Sequence, residues 1–256
     1  MSPIARPVTE TPRPGDVPLW EHPEWAARFP WLVQGMTAAG AGARPFDLAL
    51  FGEGRPAEVM ERWWALGHAV GAFRIAHGHQ VHGPTVRVHG EGGEGLHVSP
   101  RTDGHVTRTP GVLLAVSAAD CVPISLVGES PRAVALLHGG WRGIAAGILE
   151  RGIETLRGRL SVKAGDLSLH LGPAICGSCY EVGPEVHRGL GLVEPAGPQP
   201  VDLRALLCAR AQRAGVPADR ITSSTWCTRC GEGTPFFSHR GGRAERQVAV
   251  LGIAAT

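Results

Sequence analysis

The chain has 256 residues, 43% of them hydrophobic and 19% charged, with a formal net charge of +2. That length buries a sizeable core, and the near-balanced charge, with no basic run, argues against nucleic acid as a partner. The N-terminus lacks the apolar stretch of a secretory signal. The most apolar region, 112–138, is broken by Asp120, Glu129, Arg132 and two prolines, so it is no membrane span of about 20 apolar residues. A cytoplasmic protein with its six cysteines reduced is expected.

Residues 1–22 are polar and proline-rich and read as a loosely held lead-in, which leaves 23–256 as a single domain. "WLVQGM" (31–36) and "FDLALF" (46–51) read as short strands. Residues 55–70 predict a helix, with Pro56 in its first turn and Val59, Trp63 and Leu66 on one face. "AFRIAH" reads as a strand running into "HGHQVHG" (77–83), and "TVRVHG" (85–90) as another strand. A glycine-rich loop is expected at 90–104. Three apolar runs of strand length follow, at 111–118, 122–128 and 133–140. Residues 141–160 predict one helix, with Ile144, Ile148, Leu149, Ile153 and Leu156 on a broad stripe. A strand at 167–173 precedes helices at 183–191 and 202–215, the second capped by Asp202 and closed by Gly215. Strands at 220–227 and 246–254 end the chain. The irregular alternation, without a βαβ repeat, predicts an α/β (α+β) layered fold with mixed β-sheets.

Three short stretches carry chemistry. "HGHQVHG" packs His77, His79 and His82 into seven residues. "AADCVP" sets Cys121 on a sharp corner between two apolar strands, beside Asp120 and Pro123. "LLHGGWRG" ends a strand in His138, followed by Gly139, Gly140, Trp141 and Arg142 at a helix start. Glycines let backbone amides approach a ligand, and a helix start with an arginine favours an anion such as phosphate. Each stretch alone is as well explained by a buried thiol, a core histidine or an ordinary turn. Taken together, two imidazoles and one thiolate make a three-ligand metal site with an open fourth position, the arrangement of a catalytic zinc. The same set also suits a cysteine nucleophile with its base. The stretches are about 40 and about 17 residues apart, so no local zinc motif exists.

"HQVHGPTV", "AADCVPISL", "LLHGGWRGIAAGIL", "LGPAICGSCYEVGPEV" and "CTRCGEGTPFFSHR" resemble, in order and spacing, the blocks of the laccase-domain family. That family is also called the multicopper polyphenol oxidase or purine nucleoside phosphorylase family. The resemblance runs from about residue 70 to the C-terminus. It implies His82, Cys121 and His138 as zinc ligands, with copper as the alternative ion. It also implies mixed β-sheets sandwiched between helical layers. The activities it implies are phosphorolysis of adenosine, inosine, guanosine and methylthioadenosine, and deamination of adenosine. Purine nucleosides and phosphate are then the partners, and the chain is a monomer or homodimer. Gly139, Gly140, Trp141 and Arg142, with Ser238 and Arg240, are the residues expected to meet phosphate or sugar. His79 and Asp120 are candidates for a general acid.

Departures lie at both ends. Thr37 is followed by Ala38 where family members often carry Thr-Arg, and Glu61-Arg62 stands where Asn-Arg is usual. His239 occupies a tyrosine position, and Gly139 replaces a common alanine. Cys176-x2-Cys179 and Cys227-x2-Cys230 lie far apart, so free thiols are expected there, with a four-thiolate metal site as the lesser reading. Two alternatives stand beside the nucleoside enzyme. A copper polyphenol oxidase is disfavoured because the chain has a single close-set His-x-His pair, His77-x-His79. A non-catalytic, metal-stabilised partner protein requires a closed fourth ligand.

Overall fold

Strands buried along nearly their whole length build the centre of the molecule. The computed structural model describes residues 5–41, 44–52, 54–231 and 233–255. With strands numbered in chain order, the first sheet runs β1 (Arg6–Val8), β15 (Ile221–Ser224), β12 (Leu167–Leu171), β10 (Val122–Glu129), β11 (Arg132–Gly139), β8 (Gly104–Thr107), β6 (Val86–His89). The second runs β2 (Thr11–Pro12), β3 (Leu19–Glu21), β4 (Leu32–Thr37), β16 (Gln247–Ile253), β9 (Val112–Ala118), β5 (Arg74–Gly78), β7 (Gly95–Ser99). Both sheets are mixed. The pairs β10–β11 and β9–β16 are antiparallel, while β5 runs parallel to both β7 and β9. A small ribbon pairs β13 (Glu181–Val182) with β14 (Gln199–Pro200).

Successive side chains of a strand point to opposite faces, so each central strand feeds two cores. Val134 and Leu136 of β11 meet Leu114, Val116, Ala249 and Leu251 of the second sheet in the core between the sheets. Ala133, Ala135 and Leu137 of the same strand face the other way. There they are covered by α4 (Ile148–Leu160), α5 (Pro184–Gly189) and α6 (Leu203–Arg213). On the far side, α2 (Pro56–Ala69) sets Val59, Trp63 and Leu66 against Leu113, Ala115, Val248 and Val250. The result is four layers: helices, sheet, sheet, helix. Two short helices complete it, α1 (Pro23–Arg28) and α3 (Trp141–Ala145). No helix among the described residues is long and apolar enough to cross a membrane.

Four sequence expectations differ from the structure. Residues 6–21 are not a loose lead-in: β1 adds to the first sheet, and β2 and β3 to the second. Glu10, 3% exposed, is hydrogen-bonded by His170 Nε2 at 2.8 Å and by the Ser224 hydroxyl at 2.7 Å. Residues 46–51 form no strand, because Asp47 Oδ1 accepts the amides of Ala49 and Arg246 and holds an irregular turn. The glycine-rich loop contains β7, which the parallel pairing with β5 stabilises despite its composition. The helix expected over 141–160 breaks at Gly147, whose φ of +83° an α-helix does not accommodate.

Candidate metal centre

The chain passes from the second sheet to the first three times in succession, along β5–β6, β7–β8 and β9–β10. The three departing strands are parallel neighbours, so these passages gather at one end of the sheets. They carry His82, Asp103 and Cys121 respectively. His138 lies near the end of β11, opposite Pro123 on β10, two residues beyond Cys121.

Two of these turns need unusual backbone. His82 has φ +58° and Asp120 φ +88°, a left-handed region that costs on the order of 1 kcal/mol for a side chain-bearing residue. Carboxylates hold both in place. Asp103, fully buried, accepts the amides of Val81 and Gly83 on Oδ1 (2.9 and 3.0 Å) and of His82 on Oδ2 (2.9 Å). Asp120 accepts the Thr228 hydroxyl at 2.6 Å and the Arg240 amide at 2.7 Å. Its own carbonyl accepts the Ile175 amide at 3.1 Å. Gly140 runs beneath the donors, where a Cβ would stand 2.6 Å from the His82 ring and 3.3 Å from Cys121 Sγ. Gly139 is as tightly held, since a Cβ there would come within 2.6 Å of the Val122 carbonyl oxygen.

One donor atom from each of His82, Cys121 and His138 lies within 4.8 Å of the others. Cys121 Sγ is 4.0 Å from His82 Nε2, against about 3.6 Å for two ligands of one tetrahedral zinc. The two imidazoles meet edge to face, with centroids 4.8 Å apart. His138 Nδ1 bonds Asp103 Oδ2 at 2.9 Å, which fixes the ring and leaves Nε2 for an ion. Burial alone pushes the Cys121 thiol up, but the charge of His138 and its hydrogen bonds with His138 and His82 bring it down to about 6. Burial pulls His138 down, yet the Cys121 thiolate and Asp103 raise it to about 9. Burial also raises Asp103; the bonds from His138, Val81 and Gly83 outweigh this and hold its carboxyl below the ordinary range. Two nitrogens and a sulfur, with the Asp103 carboxylate bonded behind one of the rings, fit a zinc ion held by three protein ligands. Among the described residues no fourth His, Cys or carboxylate joins the cluster.

The three donors stand in a cleft of about 480 Å³ whose other walls include Phe51, His79, Gln80, Ser117, His239 and Arg246. That volume lies in the range of small-molecule sites. Gln80 bonds both the amide and the carbonyl of Ser117, at 2.7 and 2.9 Å, and so ties the His82 loop to the end of β9. His77 lines the cleft but is 1% exposed, bonded to the Ala115 carbonyl at 2.9 Å and packed on Trp63.

The expected anion residues are placed differently. Gly139, Gly140, Trp141, Arg142, Ser238 and Arg240 are not among the cleft walls. Because the helix breaks at Gly147, α3 has five residues, too short for the dipole of a long helix to act on an anion. Ser238 is buried, and its hydroxyl accepts the Gly241 amide at 3.0 Å within its own turn. Arg240 lies over the Tyr180 ring at 5.3 Å and donates to the Glu181 carbonyl, while Arg142 lies over Trp141 at 4.4 Å. The Tyr180 hydroxyl is pushed up to about 12, by burial and then by the Cys121 thiolate, with Arg240 and Arg142 opposing. Of the two general-acid candidates, Asp120 has both carboxylate oxygens engaged in holding its turn, whereas His79 is exposed at the cleft beside Phe51.

Asp103, Gln80 and Tyr180 are the site residues that sequence reasoning passes over or leaves to the core. Asp103 sits in "PRTDGHV", where an Asp-Gly pair signals a turn and nothing announces a carboxylate aimed at His138.

Residues 37–254 match the family described as multi-copper polyphenol oxidoreductase laccase. The purine nucleoside phosphorylase YlmD of Geobacillus stearothermophilus is 35% identical over 192 residues, 68% of this chain and 70% of its own length. The adenosine deaminase RL5, from an unknown prokaryotic organism, is 40% identical over 149 residues; the match covers 54% of this chain and 56% of RL5. The crystal structure of YlmD superposes with a TM-score of 0.88 over 97% of this chain and 100% of that one, at 28% identity across the longer alignment. With its fold and most of its length matched, the chain belongs to the multi-copper polyphenol oxidoreductase laccase family.

Proposed function

We propose that the protein is a zinc-dependent enzyme of purine nucleosides. It carries out phosphorolysis of adenosine, inosine, guanosine and methylthioadenosine to free base and (methylthio)ribose 1-phosphate, and hydrolytic deamination of adenosine to inosine. One observation carries this reading: two imidazoles and a thiolate converge, with no fourth protein donor among the described residues, in a cleft of about 480 Å³. The names of the relatives YlmD and RL5 support the same substrate class.

His82, Cys121 and His138 hold the ion. Zinc bound there supplies a Lewis acid that activates water near neutral pH. Asp103 keeps His138 in the tautomer that offers Nε2, and its hold on residues 81–83 keeps His82 beside Cys121. Phe51 and His79, with ring centroids 4.7 Å apart, give the cleft an aromatic wall suited to a purine face. The anion is assigned to Arg142 and Arg240, whose charges both act on the Tyr180 hydroxyl, as does that of Cys121. The reading includes a cytoplasmic location, where thiolate ligands stay reduced.

The test is metal analysis of the purified protein, followed by incubation with adenosine, with and without phosphate. Inosine reports deamination, and adenine with ribose 1-phosphate reports phosphorolysis. Equal conversion by wild type and Cys121→Ala overturns the reading. Oxidation of a phenol by the copper-loaded protein, with nucleosides untouched, favours the polyphenol oxidase instead.

A further inference from the structure

The sequence favours free thiols at Cys176, Cys179, Cys227 and Cys230, but the fold brings the two distant pairs together. The four sulfur atoms lie within 4.8 Å of one another, and those of Cys176 and Cys230 are 3.6 Å apart. Four thiolates around one tetrahedral zinc, with bonds of about 2.3 Å, stand about 3.8 Å from each other. A disulfide requires about 2.05 Å, and all four cysteines are unpaired.

The surroundings of Cys227 point the same way. Its buried sulfur receives the amides of Cys176 at 3.2 Å and of Arg229 and Cys230 at 3.4 Å each. A neutral thiol is a weak acceptor, and three amides converging on one sulfur form a cradle for a negative one. Two of these amides come from the turn within the Cys227-x2-Cys230 pair itself. The other pair is similarly preformed: a single 3-10 turn, Gly177–Cys179, carries Cys179 back toward Cys176. Arg229 closes the corner by donating to the Cys179 carbonyl at 3.0 Å.

We propose that Cys176, Cys179, Cys227 and Cys230 bind a second, structural zinc ion that clamps the 174–180 loop to the 226–230 segment. Binding releases the thiol protons to solvent and changes no oxidation state. The four sulfurs complete the coordination, so the ion takes no substrate. The clamp acts on the segments that hold Asp120. Thr228, next to Cys227, bonds its carboxylate, and Ile175, next to Cys176, bonds its carbonyl. Ala174 and Cys227 are joined by a parallel bridge. The second ion thus steadies the corner from which Cys121 projects.

Metal analysis and cysteine labelling of the full-length protein test the proposal. Wild type is expected to carry about two zinc ions per chain and Cys121→Ala about one. In Cys121→Ala, cobalt exchanged into the remaining site gives the intense sulfur-to-metal absorption of a four-thiolate centre. In wild type the four cysteines resist alkylation until a chelator is added. Cys230→Ser loses the second ion and keeps the first. The proposal is overturned by about one ion in wild type and none in Cys121→Ala, by ready alkylation of all four thiols in the zinc-loaded protein, or by disulfides between them under non-reducing analysis. Because the labelling needs no variant and no turnover, it stands apart from the outcome of the nucleoside assay.

Discussion

His82, Cys121 and His138 line a cleft of about 480 Å³, whereas Cys176, Cys179, Cys227 and Cys230 face one another, with loop amides converging on Cys227. The first cluster has three donors and a carboxylate behind one of them; the second has four donors and amides behind one sulfur. The first is delivered by two passages between the sheets and the end of β11, the second by two short turns. Thiolates therefore serve opposite ends in the two clusters. A trio leaves a position for chemistry, and a quartet leaves none.

Removing a donor from the trio breaks the comparison most severely. Cys121→Ala is expected to lower kcat/KM for nucleoside by on the order of 10³-fold, about 4 kcal/mol of transition-state stabilisation, with the four-thiolate ion retained. Retained turnover in a protein that has lost the ion from the trio would sink the catalytic assignment. Asp103→Asn leaves every donor in place but weakens what aims them. A fall of about 10- to 100-fold in activity or metal affinity is expected, and stopped assays beside metal titration resolve which.

Cys230→Ser addresses the other cluster. It should lower the melting temperature by about 5 °C, on the order of 2 kcal/mol for a domain of this size, with a smaller loss of activity than either variant above. A variant as stable as wild type would remove the clamp from the comparison.

A pH series exposes a background common to both clusters. His22, His77 and His89 are buried, and burial lowers their pKa values to about 3, 4 and 4. In the unfolded chain they titrate near 6.5, so between these values the unfolded state binds more protons. Their stabilisation is complete above pH about 6.5. It falls as the pH drops toward 4, by at most about 1.4 kcal/mol per pH unit for each. Urea midpoints measured from pH 7 to 5 check this, and a flat profile contradicts it.

Much of this architecture is legible in the sequence because the physics that sets it is local. The runs at 111–118, 122–128, 133–140 and 246–254 are strands with one apolar face for each core, the period of α2 and α4 is written in their residues, and Asp202 and Gly215 mark the two ends of α6. Non-local pairing explains what is not legible. The segment around Arg6–Val8 is ordered by β15, more than two hundred residues away, and Gly95–Ser99 by β5. The block "LLHGGWRG" marks His138, but the Asp103 that orients it comes from another passage with no signature of its own. The two cysteine pairs are visible as pairs, and only the three-dimensional course of the loops makes them a quartet.

The threefold passage of the chain from one sheet to the other has a consequence for how the molecule matures. The β10–β11 hairpin alone can bring Cys121 and His138 near each other, but His82 and its carboxylate support arrive on separate, earlier segments. Tight capture of the ion must therefore wait until the two halves of the sandwich have docked, making it a late event in a topology rich in distant contacts. An occupied trio is in this sense a certificate of completed assembly.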